Sequence, residues 1–365
     1  MKVLHILYSG LGGHGNVFFS MVDADTEQKN QYEAIFFGIE DIRPEYIKMA
    51  EEKGVVWHFV NKKPGLDIGA YRKIATIIKQ SAPEILFLHG GCYFFPAWYA
   101  ALVAPQKIKI IVRETVPNNL KTMVDWAGLV FSLVFAKQTV FLNVEYRDIV
   151  KKQLALIFSD KRTQVIGNGI NLELFKPNHQ TDTACVRLGM QGRLSTTKDH
   201  ATLIKAFNIV EKQWAGKKNF ELIIAGDGTQ RPALEKLAAE LGVSEKIIFL
   251  GLLKETALPA FINSLDIYIH ATLGEMMSTA IIQVMACELP IIASDVFGVN
   301  NMIHNQENGI LVPLGDEHQL VLAINQYLNN PELSLRFAKN AYTFAVHNYS
   351  NTQMFTKYQT LFEEK

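Results

Sequence analysis

The sequence predicts an α/β protein with two parallel, doubly wound sheets, one in each half of the chain. Short apolar runs recur along it, segments of helical periodicity separate them, and 365 residues exceed what one hydrophobic core usually holds. Short buried strands alternating with helices of ordinary length favour parallel sheets covered on both faces.

In the first half the strand-like runs are KVLHILY at 2–8, EAIFFGI at 33–39, GVVWHFV at 54–60, EILFLH at 84–89 and IKIIVRE at 108–114. The first run ends in a glycine-rich loop, SGLGGHGN at 9–16, and an apolar helical run begins at Val17. Glycines there let backbone approach a ligand closely and leave helix N–H groups free to meet an anion. The same loop also suits a plain strand-to-helix turn, or a nicotinamide-cofactor site with Glu40 or Asp41 as the acid after the second strand. His89 closes the fourth run, and Arg113, Glu114 and Thr115 close the fifth. A histidine at a strand end is either a polar residue satisfied by backbone or a group that meets a ligand.

The longest apolar stretch, WAGLVFSLVFA at 126–136, falls short of the roughly 20 residues of a membrane span and reads as a core helix or strand pair. With Lys137, Lys151, Lys152, Lys161 and Arg162 downstream, it also fits an apolar patch with a basic rim, the pattern of peripheral membrane contact. Residues 163–183, TQVIGNGINLELFKPNHQTDT, carry two glycines, a proline and a polar tail, and read as the linker.

The second half repeats the plan with VRLGMQG at 186–192, FELIIAG at 220–226, KIIFLG at 246–251, LDIYIHA at 265–271 and LPIIASD at 289–295. GRLSTTKDH at 192–200 follows its first strand and precedes a helix, so Arg193 as a fork and Lys198 as a point charge can converge on one diphosphate. Fixed cations would neutralise a leaving diphosphate without a metal, and no D-x-D pair stands in a metal-binding context. AGDGTQRPALEKLAAELG at 225–242 places Gly226 and Gly228 in a tight turn, which is structural or ligand-facing. In HATLGEMMSTAIIQVMACELPIIASD, residues 270–295, Ser278 and Thr279 are N-cap candidates for a helix that is apolar all round and therefore buried. Its free N–H groups at a strand's carboxyl end suit phosphate. Gln283 needs a hydrogen-bond partner on that helix, and a polar ligand would supply one. The last segment, 332–365, is helical in pattern and rich in aromatics.

The 36 basic and 36 acidic residues cancel, so the overall balance offers nothing to nucleic acid. Three scattered cysteines, Cys92, Cys185 and Cys287, lack metal-ligand spacing and fit a reducing compartment, while the N-terminal apolar run is too short for a signal segment. A cytoplasmic protein is expected, with contact at the inner membrane surface as a further expectation.

Glu275 followed eight residues later by Gln283 resembles the E-x7-E signature of retaining glycosyltransferases with the GT-B fold, specifically family 4. GRLSTTK at 192–198 resembles the family's G-R-L-x-x-x-K motif, and Asn168, Gly169, Ile170, Asn171, Phe175 and Pro177 resemble its N-G-[IV]-[DN]-x-x-x-F-x-P segment. The turn at 225–242 is similar to its G-x-G-x-x-x-x-x-L-x segment, and ASDVFGVNNMI and ENGILVP to its glycine turn and N-G-x-L-V-P hairpin. This chain departs in carrying Gln283 for the second acid and Asn301 where many members have an acid.

The resemblance implies two Rossmann-like domains facing a cleft, here 1–176 and 177–348, with a terminal helix, 349–365, crossing back to the first. It implies transfer of a hexose, with retention and without metal or cofactor, from a UDP- or GDP-linked donor to a glycan or lipid-linked acceptor, in envelope polysaccharide or lipopolysaccharide synthesis. Glu275 would orient the sugar; Arg193, Lys198, Gly192 and the N–H groups of Met277, Ser278 and Thr279 would hold the diphosphate. Gln283 would meet the ribose and backbone near Leu252 and Leu253 the base, with Gly226 and Gly228 beside them. Gly12 and Gly13 would face the donor phosphates and the acceptor, and His89 and Glu114 would stand on the acceptor side. The alternative is a GT-B protein, weakened by Gln283 and Asn301, that binds nucleotide sugar or glycan as a partner or regulator.

Overall fold

The computed structural model describes residues 1–10, 13–65, 67–178 and 185–364, and the chain divides into two compact units, 1–171 with 351–365 and 172–350. Among the described residues the first unit holds a seven-stranded parallel sheet: β1 (Lys2–Tyr8), β2 (Gln31–Gly38), β3 (Val56–Asn61), β4 (Ile85–Leu88), β5 (Lys109–Glu114), β6 (Gln138–Phe141) and β7 (Thr163–Val165), in the order β3-β2-β1-β4-β5-β6-β7. Alternate residues of each strand feed opposite cores. Val3, Leu7, Phe36 and Phe87 pack under helices Gly13–Ala24 and Asn351–Glu363, while Leu4, Ile6, Leu86 and Val112 pack under Ile68–Ser81 and Phe94–Val103.

The second unit holds a six-stranded sheet of β8 (Cys185–Gln191), β9 (Asn219–Ala225), β10 (Ile247–Gly251), β11 (Ile267–His270), β12 (Ile291–Ser294) and β13 (Ile310–Val312), in the order β10-β9-β8-β11-β12-β13. Both sheets are Rossmann-like, with helices on both faces and the strand order reversing beside β1 and β8.

Three differences from the sequence reading have physical causes. Of the two readings of the run at 126–136 the structure has the helix, Met123–Phe135, which starts at a Thr122–Asp125 capping box; the unexpected element is the short β6 that follows it at once. β7 occupies the start of the segment read as linker, where Ile166 still donates its N–H to Phe141. ENGILVP is not a hairpin: a tight turn through Gln306, at φ +63°, feeds β13, which pairs parallel with β12.

The unit boundary falls at 171/172 rather than 176/177, because Asn263 of the second unit already binds the chain there. Its side chain donates to the Lys176 carbonyl at 3.1 Å and accepts from the Asn178 N–H at 2.7 Å. Residues 179–183 of the expected linker lie outside the described residues. Both chain crossings are tied to the first unit. Asn351 donates its N–H to the Ile170 carbonyl at 2.9 Å and its side-chain amide to the Ser20 carbonyl at 3.3 Å. Helix Asn351–Glu363 lays Met354, Tyr358 and Phe362 into the core, with Tyr358 edge-on to Phe87 at 5.0 Å. Arg113, 2% exposed, donates to the Asn168 side chain just before the crossing.

Among the described residues no helix is long and apolar enough to cross a membrane. Asn168→Ala should cost about 2–4 kcal/mol in urea unfolding, since it strips a buried guanidinium of its acceptor. Adding Arg113→Met should recover part of that loss, as a double-mutant cycle would read.

Candidate functional site

In the second unit the carboxyl ends of β8 and β11 place the main polar groups. The loop after β8 folds back along the loop after β11: Asp199 donates its N–H to the Ala271 carbonyl at 3.0 Å, Leu273 to Thr197 at 3.0 Å, and Lys198 bridges Thr272. This short antiparallel ladder fixes Lys198 beside the end of β11. Its Nζ donates to Glu275 Oε1 at 2.6 Å and lies 3.3 Å from Nε2 of His270, the last residue of β11. His270 Nε2 is itself 2.5 Å from the same carboxylate oxygen and 3.3 Å from Ser278 Oγ. Ser278 is the N-cap of helix Thr279–Ala286 and accepts from the Ile281 N–H.

Electrostatics follow from this geometry. Burial pushes the Glu275 carboxyl up, but Lys198 and His270 outweigh it and hold the group well below the usual carboxylate range. His270 is lowered by burial and by Lys198, with Glu275 pulling the other way, so it is a neutral hydrogen-bonding imidazole at neutral pH. The Tyr268 hydroxyl, 3.3 Å from Nδ1, backs the ring. Sequence reasoning gave His270 no role; its place at the end of a buried parallel strand was the available signal.

Glycines seat the site. A Cβ at Gly298, where φ is +82°, would lie 1.5 Å from the Glu275 carbonyl oxygen, so the loop carrying Glu275 rests directly on this turn. The backbone requires glycine at 226 and 228, because a Cβ would meet the carbonyl of Gly192 or Leu194 at 1.9 or 2.4 Å. Gly192 begins the loop that carries Lys198, whose stem passes 3.8 Å from where a Cβ would be.

Arg193 is exposed and, among the described residues, makes no ion pair. The Gln283 side-chain carbonyl already has a partner, because it accepts from Gln191 Nε2 at 2.5 Å on the buried side of the helix. Met277 and Thr279 flank the cap half-buried, Leu253 follows β10 half-buried, and the Asn301 side-chain amide is buried without a partner.

In the first unit, Gly13 opens helix Gly13–Ala24, while Gly12 lies outside the described residues. His89 is fully buried, its Nε2 3.1 Å from His5 Nδ1, with the His14 ring 6.0 Å away. Burial foremost pushes all three histidines down, His5 and His14 to about 3, so they are neutral. Among the described residues the ring nitrogens His5 Nε2, His14 Nδ1 and His89 Nδ1 are buried without partners. Glu114 is half committed: Oε1 pairs with Lys121 at 3.0 Å in full burial and accepts from the Val116 N–H at 3.1 Å, while Oε2 has no partner. Among the described residues no group of His, Cys, Asp and Glu is placed to hold a metal.

Residues 173–344 match the family model described as Glycosyl transferases group 1. An alpha-D-kanosaminyltransferase of Streptomyces kanamyceticus is 31% identical over 133 residues, 36% of this chain and 34% of that protein. The N-acetylgalactosamine-N,N'-diacetylbacillosaminyl-diphospho-undecaprenol 4-alpha-N-acetylgalactosaminyltransferase of Campylobacter jejuni is 24% identical over 260 residues, 68% of each chain. Anabaena Alr3699/HepE, solved in complex with UDP and glucose, superposes with a TM-score of 0.81 at 16% identity over 100% of both chains, a likeness of fold, the GT-B fold.

Glu275→Gln should lower stability at pH 7 by about 1–2 kcal/mol in urea. The folded-state pKa is depressed, so the wild-type advantage is complete above the ordinary Glu value of about 4.3 and shrinks as pH falls toward the folded value. Unfolding curves across that range check it.

Proposed function

We propose that the chain, whose residues 173–344 match the model of glycosyl transferases group 1, is a retaining hexosyltransferase. It moves a sugar from a UDP- or GDP-linked donor to a glycan or lipid-linked acceptor, without a metal, in envelope polysaccharide or lipopolysaccharide synthesis. The observation that carries this reading is the Lys198–Glu275–His270 cluster beside the capped N-terminus of helix Thr279–Ala286. The diphospho-undecaprenol in the name of the C. jejuni relative supports a lipid-linked acceptor.

The N–H groups of residues 277–279 and the Lys198 ammonium would take the diphosphate, where a helix N-terminus and a fixed cation both favour negative charge. Glu275, already ionised, would accept hydrogen bonds from the sugar hydroxyls, and His270 would keep the carboxylate aimed. As the bond from the anomeric carbon to the phosphate oxygen breaks, the acceptor oxygen bonds to the same face of that carbon. The acceptor's proton passes to the leaving diphosphate, so no nucleophilic side chain is required. Arg193, exposed and unpaired, is free to swing to the phosphates. His89, with its unpartnered ring nitrogen, would meet the acceptor side. A lipid-linked acceptor requires the protein to work at a membrane surface.

A second reading, a protein that binds a nucleotide sugar without transferring it, is favoured by Gln283, whose carbonyl is already taken by Gln191. Binding and hydrolysis across a panel of nucleotide sugars separate the two. One donor should bind and be cleaved, with Lys198→Ala and Glu275→Ala each lowering turnover about 100-fold or more. A donor that binds but is never cleaved, even with acceptors supplied, would transfer the case to the second reading. Gln283→Glu adds a further comparison: a large gain in turnover would mark the natural chain as attenuated, and no gain would mean that the amide suffices.

A further inference from the structure

Two helices on one side of the first unit are nearly devoid of charge although they lie at the surface. Phe94–Val103 (FFPAWYAALV) has no charged residue, and Met123–Phe135 (MVDWAGLVFSLVF) has only Asp125, which is used in the cap with Thr122. Helices apolar all round are normally buried. Here Tyr99, Leu102, Val103 and Phe135 expose 58, 62, 56 and 51% of their surface. They belong to one face, because Trp98 packs on Phe135 at 5.5 Å and Phe95 on Phe131 at 4.9 Å. Single exposed apolar residues need no explanation, but a contiguous set does.

At the carboxyl ends of these helices the apolar residues border an open groove of about 590 Å³, lined among others by Trp98, Leu102, Phe135, Lys107, Lys161 and Arg162. Lys107 and Lys161 are exposed and make no ion pair among the described residues, and the groove's acid, Glu364, accepts from Gln138 Nε2 at 3.2 Å. An apolar face with free cations at its edge complements one kind of partner.

We propose that this end of the first unit docks on an anionic lipid surface. Tyr99, Leu102, Val103 and Phe135 enter the headgroup boundary, and Lys107 and Lys161 meet the lipid phosphates. A second copy fits less well, because a two-fold contact through this face would set the unpaired lysines against their own like charge. The docking surface goes beyond the transferase reading and does not depend on it.

Flotation with vesicles tests the proposal, using phosphatidylcholine alone and phosphatidylcholine mixed with phosphatidylglycerol, at low salt and at about 0.5 M salt. The protein should float with the mixed vesicles, less at high salt, and about tenfold less with phosphatidylcholine alone. Lys107→Glu with Lys161→Glu, and separately Leu102→Ser with Phe135→Ser, should each weaken partitioning about tenfold or more. These side chains are at least half exposed or lie at the surface, so circular dichroism and nucleotide binding should be unchanged. Absence of flotation, or equal flotation of all variants, would overturn the proposal. So would a concentration-dependent dimer that Leu102→Ser with Phe135→Ser abolishes, which would give the face to a second copy. Loss of vesicle binding with donor binding intact leaves the transferase reading standing, and the reverse leaves the docking surface standing.

Discussion

The carboxylate of Glu275, held between Lys198 and His270, is the interaction on which the second unit's site depends. A largely buried carboxylate without a cation would protonate or force its loop open, and Lys198 prevents both. Lys198 reaches it only because the loop after β8 is laddered onto the loop after β11, and Glu275 stays in reach only because Gly298 lets the backbone beneath it come close. The Ser278 cap then starts a helix whose N–H groups open beside the same charges. A cation, an acid and a positive dipole end thus meet around His270 Nε2, arranged before any ligand arrives. Catalysis by such groups draws its strength from that prior arrangement.

The first unit solves burial differently. Its strand ends carry histidines held neutral by burial, an acid committed to Lys121, and an arginine tied to Asn168. The neutral histidines and the paired acid give hydrogen bonds rather than net charge, while the Arg113 guanidinium keeps its charge. Hydroxyl-bearing ligands suit that environment, whereas the second unit offers a fixed cation and a helix N-terminus for phosphate. The Arg113–Asn168 contact also fastens the segment that leaves the unit.

Much of this was legible in the sequence, for local reasons. Buried parallel strands are continuous apolar runs, and the glycine turns and the Ser278 cap announce themselves by composition. β6 and β7 were not legible, because each is only three or four residues long and follows a helix or a linker-like segment without its own punctuation. The N-G turn before β13 looks the same whether the strand beyond it returns antiparallel or enters the edge of a parallel sheet. Partners distant in sequence were beyond reach: Gln191 meets Gln283 across 92 positions, and His270 acquires its role only when Lys198 arrives from another loop. The close approach of the Gly192–Leu194 backbone, which requires glycine at 226 and 228, could not be read from composition.

A crystal structure of the chain with a nucleotide diphosphate sugar tests the central claim most directly. The account predicts the diphosphate at the N-terminus of helix Thr279–Ala286, with Lys198 Nζ within about 3 Å of a phosphate oxygen and the sugar hydroxyls on Glu275. A nucleotide bound elsewhere, with Lys198 and Glu275 still closed on each other, would contradict it.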